Sequence, residues 1–136
     1  MSGAESFFDT SVLLYLLSAD AEKADRAEEL LERSGAISVQ VLNEFTAVAI
    51  RKLGLSFAEV REVLGTIRTV CVTHPLTIGH HDKGSEIAER YGFSFYDSVI
   101  IASALLAECK ILYSEDLQHQ QVIEKRLTVI NPFAKS

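Results

Sequence analysis

Four acidic side chains of this 136-residue chain stand in apolar segments, whereas most of its other acids lie in amphipathic, solvated stretches. They are Asp9, Glu44, Asp97 and Asp116. An ionised carboxylate is costly to bury unless it is paired with a base or bound to a cation. Carboxylates that converge on one cleft raise one another's pKa unless a cation lies among them. Because no His or Cys stands in register with these acids, their oxygen ligands favour Mg²⁺ or Mn²⁺.

Each of these acids also has a purely structural interpretation. Asp9 fits the N-cap of a helix that begins at the next residue, and Ser94 and Asp97 have the S-x-x-D spacing of a capping box. Asp116 fits a turn or an N-cap, and Glu44 fits a helical acid paired with a nearby base. Each interpretation accounts for one acid, and none accounts for all four.

A divalent cation held by carboxylates is suited to phosphodiester chemistry. It leaves coordination positions for a water molecule and a phosphate oxygen, lowers the pKa of the bound water and stabilises the leaving oxygen. A second ion about 3.5–4 Å away would cover both ends of an in-line displacement. The four acids therefore predict phosphodiester hydrolysis with one or two metal ions.

Short apolar, β-branched runs alternate with longer stretches of helical period along the chain, and these are the elements that must position the acids. The strand candidates are Ser6–Phe8, Ala36–Ser38, Thr69–Val72, Ile111–Tyr113 and Leu127–Ile130. The helix candidates are about Thr10–Leu17, Ala21–Arg33, Val39–Lys52, Phe57–Arg68, Ile78–Tyr91 and Ser94–Glu108. Gly35, Gly54 and Gly92 each follow a helix candidate, where a left-handed residue is expected. The alternation predicts an α/β fold for residues 1–136 as a single domain, a three-layer α/β/α sandwich with a mostly parallel sheet of about five strands.

Ligands of such sheets bind at the carboxyl edge, where strands lead into helices. Asp9 follows the first predicted strand and Asp116 the fourth, while Asp97 lies in the first turn of the helix before that fourth strand. Glu44 lies on the flank of the apolar stripe of its helix, from which it can reach a cleft beside the sheet. Three of the four acids are thus expected at one edge.

The composition limits the class of protein. With 48% apolar residues, a chain of 136 residues is long enough for one domain with its own core. The net charge of −6, from 13 Lys and Arg against 19 Asp and Glu, argues against a protein that holds nucleic acid mainly by neutralising phosphates. Cys71 and Cys109 form no metal-ligand pair, which favours a reduced, cytoplasmic protein. The densest apolar segment, Val99–Ala107, is too short to span a bilayer, so no membrane association is expected.

Four short motifs, in this order, resemble those of the PIN-domain ribonucleases, and in particular the VapC-type toxins of toxin–antitoxin pairs. They are Asp9-Thr10-Ser11, Asn43-Glu44, Tyr96-Asp97 and Ser114-Glu115-Asp116. The resemblance runs from about Phe7 to Phe133, and the Asn131-Pro132-Phe133 ending is similar to that of many members. One departure is Gln120, where a Gly is expected in close relatives.

The resemblance implies a PIN-like sandwich and a Mg²⁺-dependent endoribonuclease that cuts single-stranded or loop RNA, with Mn²⁺ able to replace Mg²⁺. It implies Asp9 and Asp97 as the principal metal ligands. Glu44 and Asp116 would complete the site directly or through water. The supporting residues that it implies are Thr10, Ser11, Asn43 and Ser114.

The family also implies a homodimer and a cognate VapB-type antitoxin whose helix or extended tail covers the site. Val12–Leu17 and Val39–Ile50 carry more apolar residues than one buried face needs, as a partner-binding groove requires. Ordinary core packing is the alternative for these residues. Arg51 and Lys52 are candidate contacts to the RNA backbone, with a solvated helix face as the alternative.

Two other functions fit the same organisation. A phosphoacceptor signalling domain of the receiver type requires adjacent acids after the first strand, whereas Thr10 and Ser11 follow Asp9 here. It also requires a Lys after the last strand, where Asn131 stands. A catalytically silent interaction module would keep the fold and bind a partner, but it has no reason to retain mutually repelling acids.

Overall fold

The computed structural model describes residues 5–134, which contain six strands and six α-helices. The strands are β1 (Ser6–Phe8), β2 (Gly35–Ser38), β3 (Cys71–His74), β4 (Ile111–Tyr113), β5 (Val122–Ile123) and β6 (Leu127–Ile130). The helices are α1 (Thr10–Leu14), α2 (Ala21–Glu32), α3 (Val39–Arg51), α4 (Phe57–Val70), α5 (Ile78–Tyr91) and α6 (Phe95–Leu106). A 3-10 turn, Tyr15–Leu17, continues α1. Within residues 5–134 no helix combines the length and the apolar character needed to cross a bilayer.

The six strands form one sheet in the order β3-β2-β1-β4-β6-β5. The first five strands of this order are parallel, and β5 pairs antiparallel with β6 through Ile123 and Leu127. Helices cover both sides of the sheet. This architecture confirms the predicted α/β/α sandwich, and the sheet has one strand more than the five expected.

The central strand β1 lies where the chain order reverses. From β1 the chain continues to β2 and β3 on one side, and β4 returns to the other side. Phe7 of β1 is paired with Ala36 of β2 and with Leu112 of β4. In open α/β sheets such a reversal leaves a crevice at the carboxyl ends of the strands. Asp9, the residue after β1, lies at this crevice, and its backbone N–H donates to Tyr113 O at 2.9 Å.

Helix α6 is buried along most of its length, from residue 98 to residue 105. A helix that is apolar on nearly every side must be enclosed by other elements, and α6 contacts α5, α3 and β2. Gly84 lets α5 come close, because a Cβ at this position would lie 2.9 Å from Val99 Cγ2. The enclosure fixes the position of the first turn of α6, which carries Asp97.

The predicted third strand, Thr69–Val72, was displaced by two residues. Thr69 and Val70 are β-branched, which favours a strand, yet both are exposed in the last turn of α4. Ile67 before this pair and Cys71 after it are buried in the core. Because of this packing the helix continues to Val70, and the strand begins only at Cys71. Helix α5 has the predicted bounds, and the other helices differ from prediction at their ends. The last turn of the predicted Thr10–Leu17 helix tightens into the 3-10 turn.

One of the three glycine predictions was wrong. Gly54 and Gly92 have φ values of 69° and 77°, as expected after a helix. After α2, however, the left-handed residue is Ser34, with φ 64°, and Gly35 begins β2. A Cβ at Gly35 would lie 2.5 Å from Phe8 Cε2, so glycine is required there by the closeness of β1 and β2.

The short strand β5 was not predicted. Its turn into β6 passes through Glu124 and Lys125, whose φ values are 51° and 61°, although neither residue is a Gly or an Asn. Contacts with α5 hold the turn: Lys83 Nζ lies 2.9 Å from Glu124 Oε1, and the Glu124 N–H donates to Tyr91 Oη at 2.8 Å. Tertiary contacts therefore supply what the local sequence lacks.

Candidate active site

Asp9 is the buried carboxylate at the end of the central strand, with only 4% of its surface exposed. It is the N-cap of α1, as its structural interpretation predicted, and its Oδ1 accepts the Thr10 N–H at 2.8 Å. Its Oδ2 accepts the Ser114 hydroxyl at 2.7 Å and the Ser11 hydroxyl at 3.2 Å. Because none of these partners carries a charge, the carboxylate is oriented but not neutralised.

Glu44 is half-buried on α3 and is also held by neutral groups. Thr10 Oγ1 donates to Oε1 at 3.0 Å, and Gln40 Nε2 donates to Oε2 at 2.8 Å. Gln40 lies one helical turn before Glu44, on the same side of α3. Among the described residues no base forms an ion pair with Glu44, so the paired-acid interpretation was wrong.

Asp97 is half-buried in the first turn of α6, and Asp116 is exposed. The Ser94 side chain accepts the Asp97 N–H at 3.2 Å, but in the described part of the chain no group donates to the Asp97 carboxylate. Only half of the capping box is therefore formed, whereas α4 and α5 form both bonds of theirs. Asp116 is exposed in the loop after β4, and its N–H donates to Ser114 Oγ at 3.2 Å.

Asp116 lies within electrostatic reach of the other three acids, and Asp9 lies within reach of Asp97 as well. Burial raises the pKa of Asp9 to about 7; the Ser114 hydrogen bond opposes the rise, and the charges of Asp116 and Asp97 add to it. Partial loss of solvent raises the pKa of Asp116, and the charges of Asp97, Glu115 and Glu44 raise it further. The crevice is therefore a region of uncompensated negative charge, which attracts cations.

The donor set suits a hard divalent cation, although it is not a closed cage. Across residues 5–134, no three His, Cys, Asp or Glu side chains are arranged so that they could hold a metal ion by themselves. Mg²⁺ rarely needs such a cage, because it keeps several waters and is bound in proteins by one or two carboxylates together with substrate phosphates. The oxygen donors of the four acids fit that mode of binding, with Asp9 oriented in advance.

A groove of about 540 Å³ begins at two of the four acids, Glu44 and Asp116, and extends along α1 and α3. Its polar lining includes Thr10, Ser11, Glu44, Glu115 and Asp116. Its apolar lining includes Leu14, Leu17, Ala47, Val48 and Leu53. Apart from Leu53, these apolar side chains belong to the two segments, Val12–Leu17 and Val39–Ile50, in which the sequence predicted more apolar residues than a core requires.

Three of the four predicted supporting residues contact the acids in the structure, and Asn43 does not. Thr10, Ser11 and Ser114 each donate a hydroxyl hydrogen bond to a site carboxylate. Asn43 is exposed and makes no hydrogen bond to these acids within the described residues. Lys52 is exposed and lines the groove.

Arg51, the other predicted RNA contact, is exposed and lies outside the groove lining. Its exposure is compatible with both an RNA contact and a solvated helix face.

Sequence reasoning missed a polar cluster beside the groove. Tyr15 Oη donates to Glu115 Oε1 at 2.7 Å, and Lys23 Nζ donates to Glu115 Oε2 and to Tyr15 Oη, both at 3.1 Å. These hydrogen bonds raise the pKa of Lys23, and its ammonium also lies 5.4 Å from the Phe133 ring centroid. The members of this cluster are separated by between 8 positions (Tyr15 and Lys23) and 118 positions (Tyr15 and Phe133) in the sequence. No local motif could therefore predict it. Gln40 was missed as well, although its i,i+4 spacing to Glu44 was a usable signal.

Comparison with a family of known domains agrees with this geometry: the PIN domain family model matches residues 6–125. The chain belongs to the PIN domain family. The match contains all four acids and both hydroxyl residues of the first motif. A search of curated proteins finds no match to this PIN domain.

Solved structures share the fold of this PIN domain. A toxin–antitoxin complex from Klebsiella pneumoniae has 18% identity and a TM-score of 0.71, over 94% of this chain and 98% of that one. VapC20 of Mycobacterium tuberculosis, a toxin that cleaves the sarcin–ricin loop, has 22% identity and a TM-score of 0.64, over 82% and 89%. VapBC2 of Rickettsia felis, solved with promoter DNA, has 17% identity and a TM-score of 0.65, over 91% and 96%.

Proposed function

We propose that this PIN domain is a Mg²⁺-dependent endoribonuclease of the VapC type, the toxin of a toxin–antitoxin pair, which hydrolyses RNA phosphodiester bonds and accepts Mn²⁺ in place of Mg²⁺. One observation carries the proposal. Asp9 is buried, lies within electrostatic reach of Asp97 and Asp116, and is held in one orientation by hydroxyl and amide donors, and among the described residues no base forms an ion pair with it. Such an arrangement is unfavourable for the fold alone and favourable for a cation.

In this proposal Asp9 and Asp97 are the principal metal ligands, and Glu44 and Asp116 complete the site directly or through water. When bound, the metal supplies a water of lowered pKa and stabilises the leaving oxygen. Ser11 and Ser114 fix the Asp9 carboxylate, and Thr10 fixes that of Glu44. Fixed ligands reduce the reorganisation needed as charge develops on the phosphate.

The lining of the groove is an argument for an antitoxin partner. Half-buried Leu14, Leu17 and Val48 line the groove together with Glu44 and Asp116. A VapB-type segment with an apolar helix or strand and a basic tip would match both the apolar and the acidic part of this lining. The Klebsiella pneumoniae and Rickettsia felis relatives are toxin–antitoxin assemblies, which supports the same partner class for this chain. We also propose a homodimer, which is the assembly that the family resemblance implies.

The decisive experiment measures RNA cleavage with and without Mg²⁺, using Asp9→Asn and Asp97→Asn. Both variants should lose at least about a hundredfold in cleavage rate, because each removes an anionic ligand at the reacting phosphate. Asp20→Asn is the matched control. Asp20 is the N-cap of α2, as Asp9 is of α1, and asparagine caps a helix equally well.

Two results would contradict the proposal. Full Mg²⁺-dependent activity in Asp9→Asn, with contaminating nucleases excluded, would show that this acid is not a ligand. Failure of the wild-type chain to bind Mn²⁺ at millimolar concentration, measured by calorimetry, would favour the catalytically silent interaction module.

A further inference from the structure

Two exposed aromatic rings precede Asp97 at the start of α6. Tyr96 is 63% exposed and Phe95 39% exposed, although large rings are normally covered in a domain of this size. Their centroids lie 5.9 Å apart at an interplanar angle of 62°, and Phe95 also contacts the His81 ring at 5.4 Å. The rings are thus supported by their neighbours, and Tyr96 remains mostly exposed.

These rings border a second, smaller cavity of about 140 Å³. Gln40 lines the same cavity, and its amide donates to Glu44 Oε2 at 2.8 Å. Tyr96 is also the residue before Asp97 in the chain. The aromatic cavity and the carboxylates are therefore adjacent, joined by one side chain and by one peptide bond.

The charge of the chain makes such a surface useful. Thirteen Lys and Arg against 19 Asp and Glu give little affinity for phosphates. Proteins that bind single strands gain sequence-tolerant affinity by stacking bases on aromatic side chains. An acidic nuclease that acts on unpaired RNA therefore needs aromatic faces close to the scissile bond more than a basic one does.

We infer that Tyr96, supported by Phe95, is a stacking platform for one unpaired base of the RNA, that of a nucleotide beside the phosphodiester bond held at the carboxylates. The inference rests on the proposed function and adds a base-binding subsite to it. In this subsite Gln40 lies at the boundary between base and phosphate, where its amide holds Glu44 and borders the stacked base.

Steady-state cleavage of a short single-stranded RNA tests the platform. Tyr96→Ala should raise KM by about 5- to 100-fold with little change in kcat, which is the effect of losing one base–aromatic stack. Tyr96→Phe should behave like the wild type, because the ring face is kept. Phe57→Ala is the matched control, since Phe57 is 60% exposed in the first turn of α4. Equal KM values for Tyr96→Ala and the wild type would overturn the inference.

A fluorescence titration separates this inference from the proposed function. The chain contains no Trp, so Asp9→Asn/Tyr96→Trp carries a single indole at the platform and should not degrade the RNA. Stacking of a base should quench this indole, whereas Asp9→Asn/Phe57→Trp should not be quenched. No quenching, with the wild-type chain still cleaving the RNA, overturns the platform alone; quenching supports it even if wild-type cleavage, and with it the proposed function, fails.

The competing role for an exposed aromatic pair is contact with a protein, including a second copy of this chain. Light scattering of each variant resolves the two. If Tyr96→Ala changes the oligomeric state, and RNA affinity per protomer stays that of the wild type, the platform is overturned in favour of an interface. An unchanged oligomeric state together with the raised KM supports it.

Discussion

Two poorly exposed carboxylates of this protein have opposite surroundings. Glu124, in the turn between β5 and β6, has 15% of its side chain exposed and contacts two cations, Lys83 at 2.9 Å and Arg90 at 3.3 Å. Asp9, 4% exposed, accepts hydrogen bonds only from neutral donors among the described residues, and the charges of Asp116 and Asp97 raise its pKa. The first carboxylate stabilises the fold it belongs to. The second is maintained at the expense of stability, which is typical of a ligand site.

The largest effect expected from this difference is that removing the Asp9 charge stabilises the metal-free fold. Because burial raises the pKa of Asp9 from 3.8 to about 7, its contribution to stability is fully present below about pH 4 and is lost as the pH rises through about 7. At pH 8, Asp9→Asn should therefore be more stable than the wild type by on the order of 2–4 kcal/mol, with no difference near pH 4. Urea denaturation in EDTA measures this, with Asp20→Asn as the control.

Magnesium should make the wild type more stable than Asp9→Asn, the reverse of their order in EDTA. Binding to the native state alone stabilises the wild type in proportion to the logarithm of the metal concentration, and Asp9→Asn should respond much less. Equal stabilisation of both proteins by Mg²⁺ would mean that the metal binds elsewhere.

A smaller effect is expected from the hydroxyl that orients Asp9. The 2.7 Å hydrogen bond from Ser114 to Oδ2 holds down the pKa of Asp9. Ser114→Ala removes this bond and so raises the pKa, and a carboxylate that is more often protonated at neutral pH is a poorer metal ligand. Loss of such an outer partner typically weakens metal affinity about 10- to 100-fold. Calorimetric titration with Mn²⁺ measures the loss. Ser103→Ala is the control, because Ser103 is equally buried but its hydroxyl has no hydrogen-bond partner within residues 5–134.

For Glu124, which is paired with cations, we expect that removing a partner charge destabilises the fold. Lys83→Ala leaves Glu124 with only Arg90, whose side chain is 64% exposed, and should destabilise the fold by about 1–2 kcal/mol. Arg90→Ala should cost less than about 0.5 kcal/mol, since an exposed partner contributes little. Chemical denaturation distinguishes the two, and equal losses would show that burial of the pair does not matter.

The smallest effect concerns the loop that follows Asp116. Gln120 has φ 70°, a left-handed conformation that glycine adopts without strain. Gln120→Gly should therefore stabilise the chain by no more than about 1 kcal/mol, with the greater entropy of the unfolded glycine opposing part of the gain. Gln120→Val should destabilise it. A thermal melt in which valine is tolerated as well as glycine would show that this backbone conformation is not required.

Much of the fold was predictable because local signals agreed with tertiary packing. Helix α5 runs from Ile78 to Tyr91 as predicted, with Thr77 as its cap and Gly92 as its left-handed end. The prediction was wrong where packing overrode propensity, as at Thr69–Val72, where β-branched residues end a helix. Strand β5 was missed because its turn has neither Gly nor Asn and depends on Lys83, which is 41 positions away.

The departure at Gln120 shows a different limit. The resemblance indicated a glycine at this position, and the backbone there has the left-handed conformation that glycine favours. The residue type gave no sign of this conformation, which only the φ value of 70° shows.

The sequence by itself determined which acids stand among apolar residues, which elements carry them, and that those elements alternate into a parallel sheet, because residue type and periodicity are local properties. The tertiary structure alone decided the partners of those acids: hydroxyls from the first and last motifs on Asp9, an amide on Glu44, and two cations on Glu124. The sequence gives the charge of each carboxylate, but whether that charge is neutralised depends on which distant side chains the fold brings within hydrogen-bond distance. The presence or absence of a neutralising partner decides whether an acid stabilises the fold or is available to bind a cation.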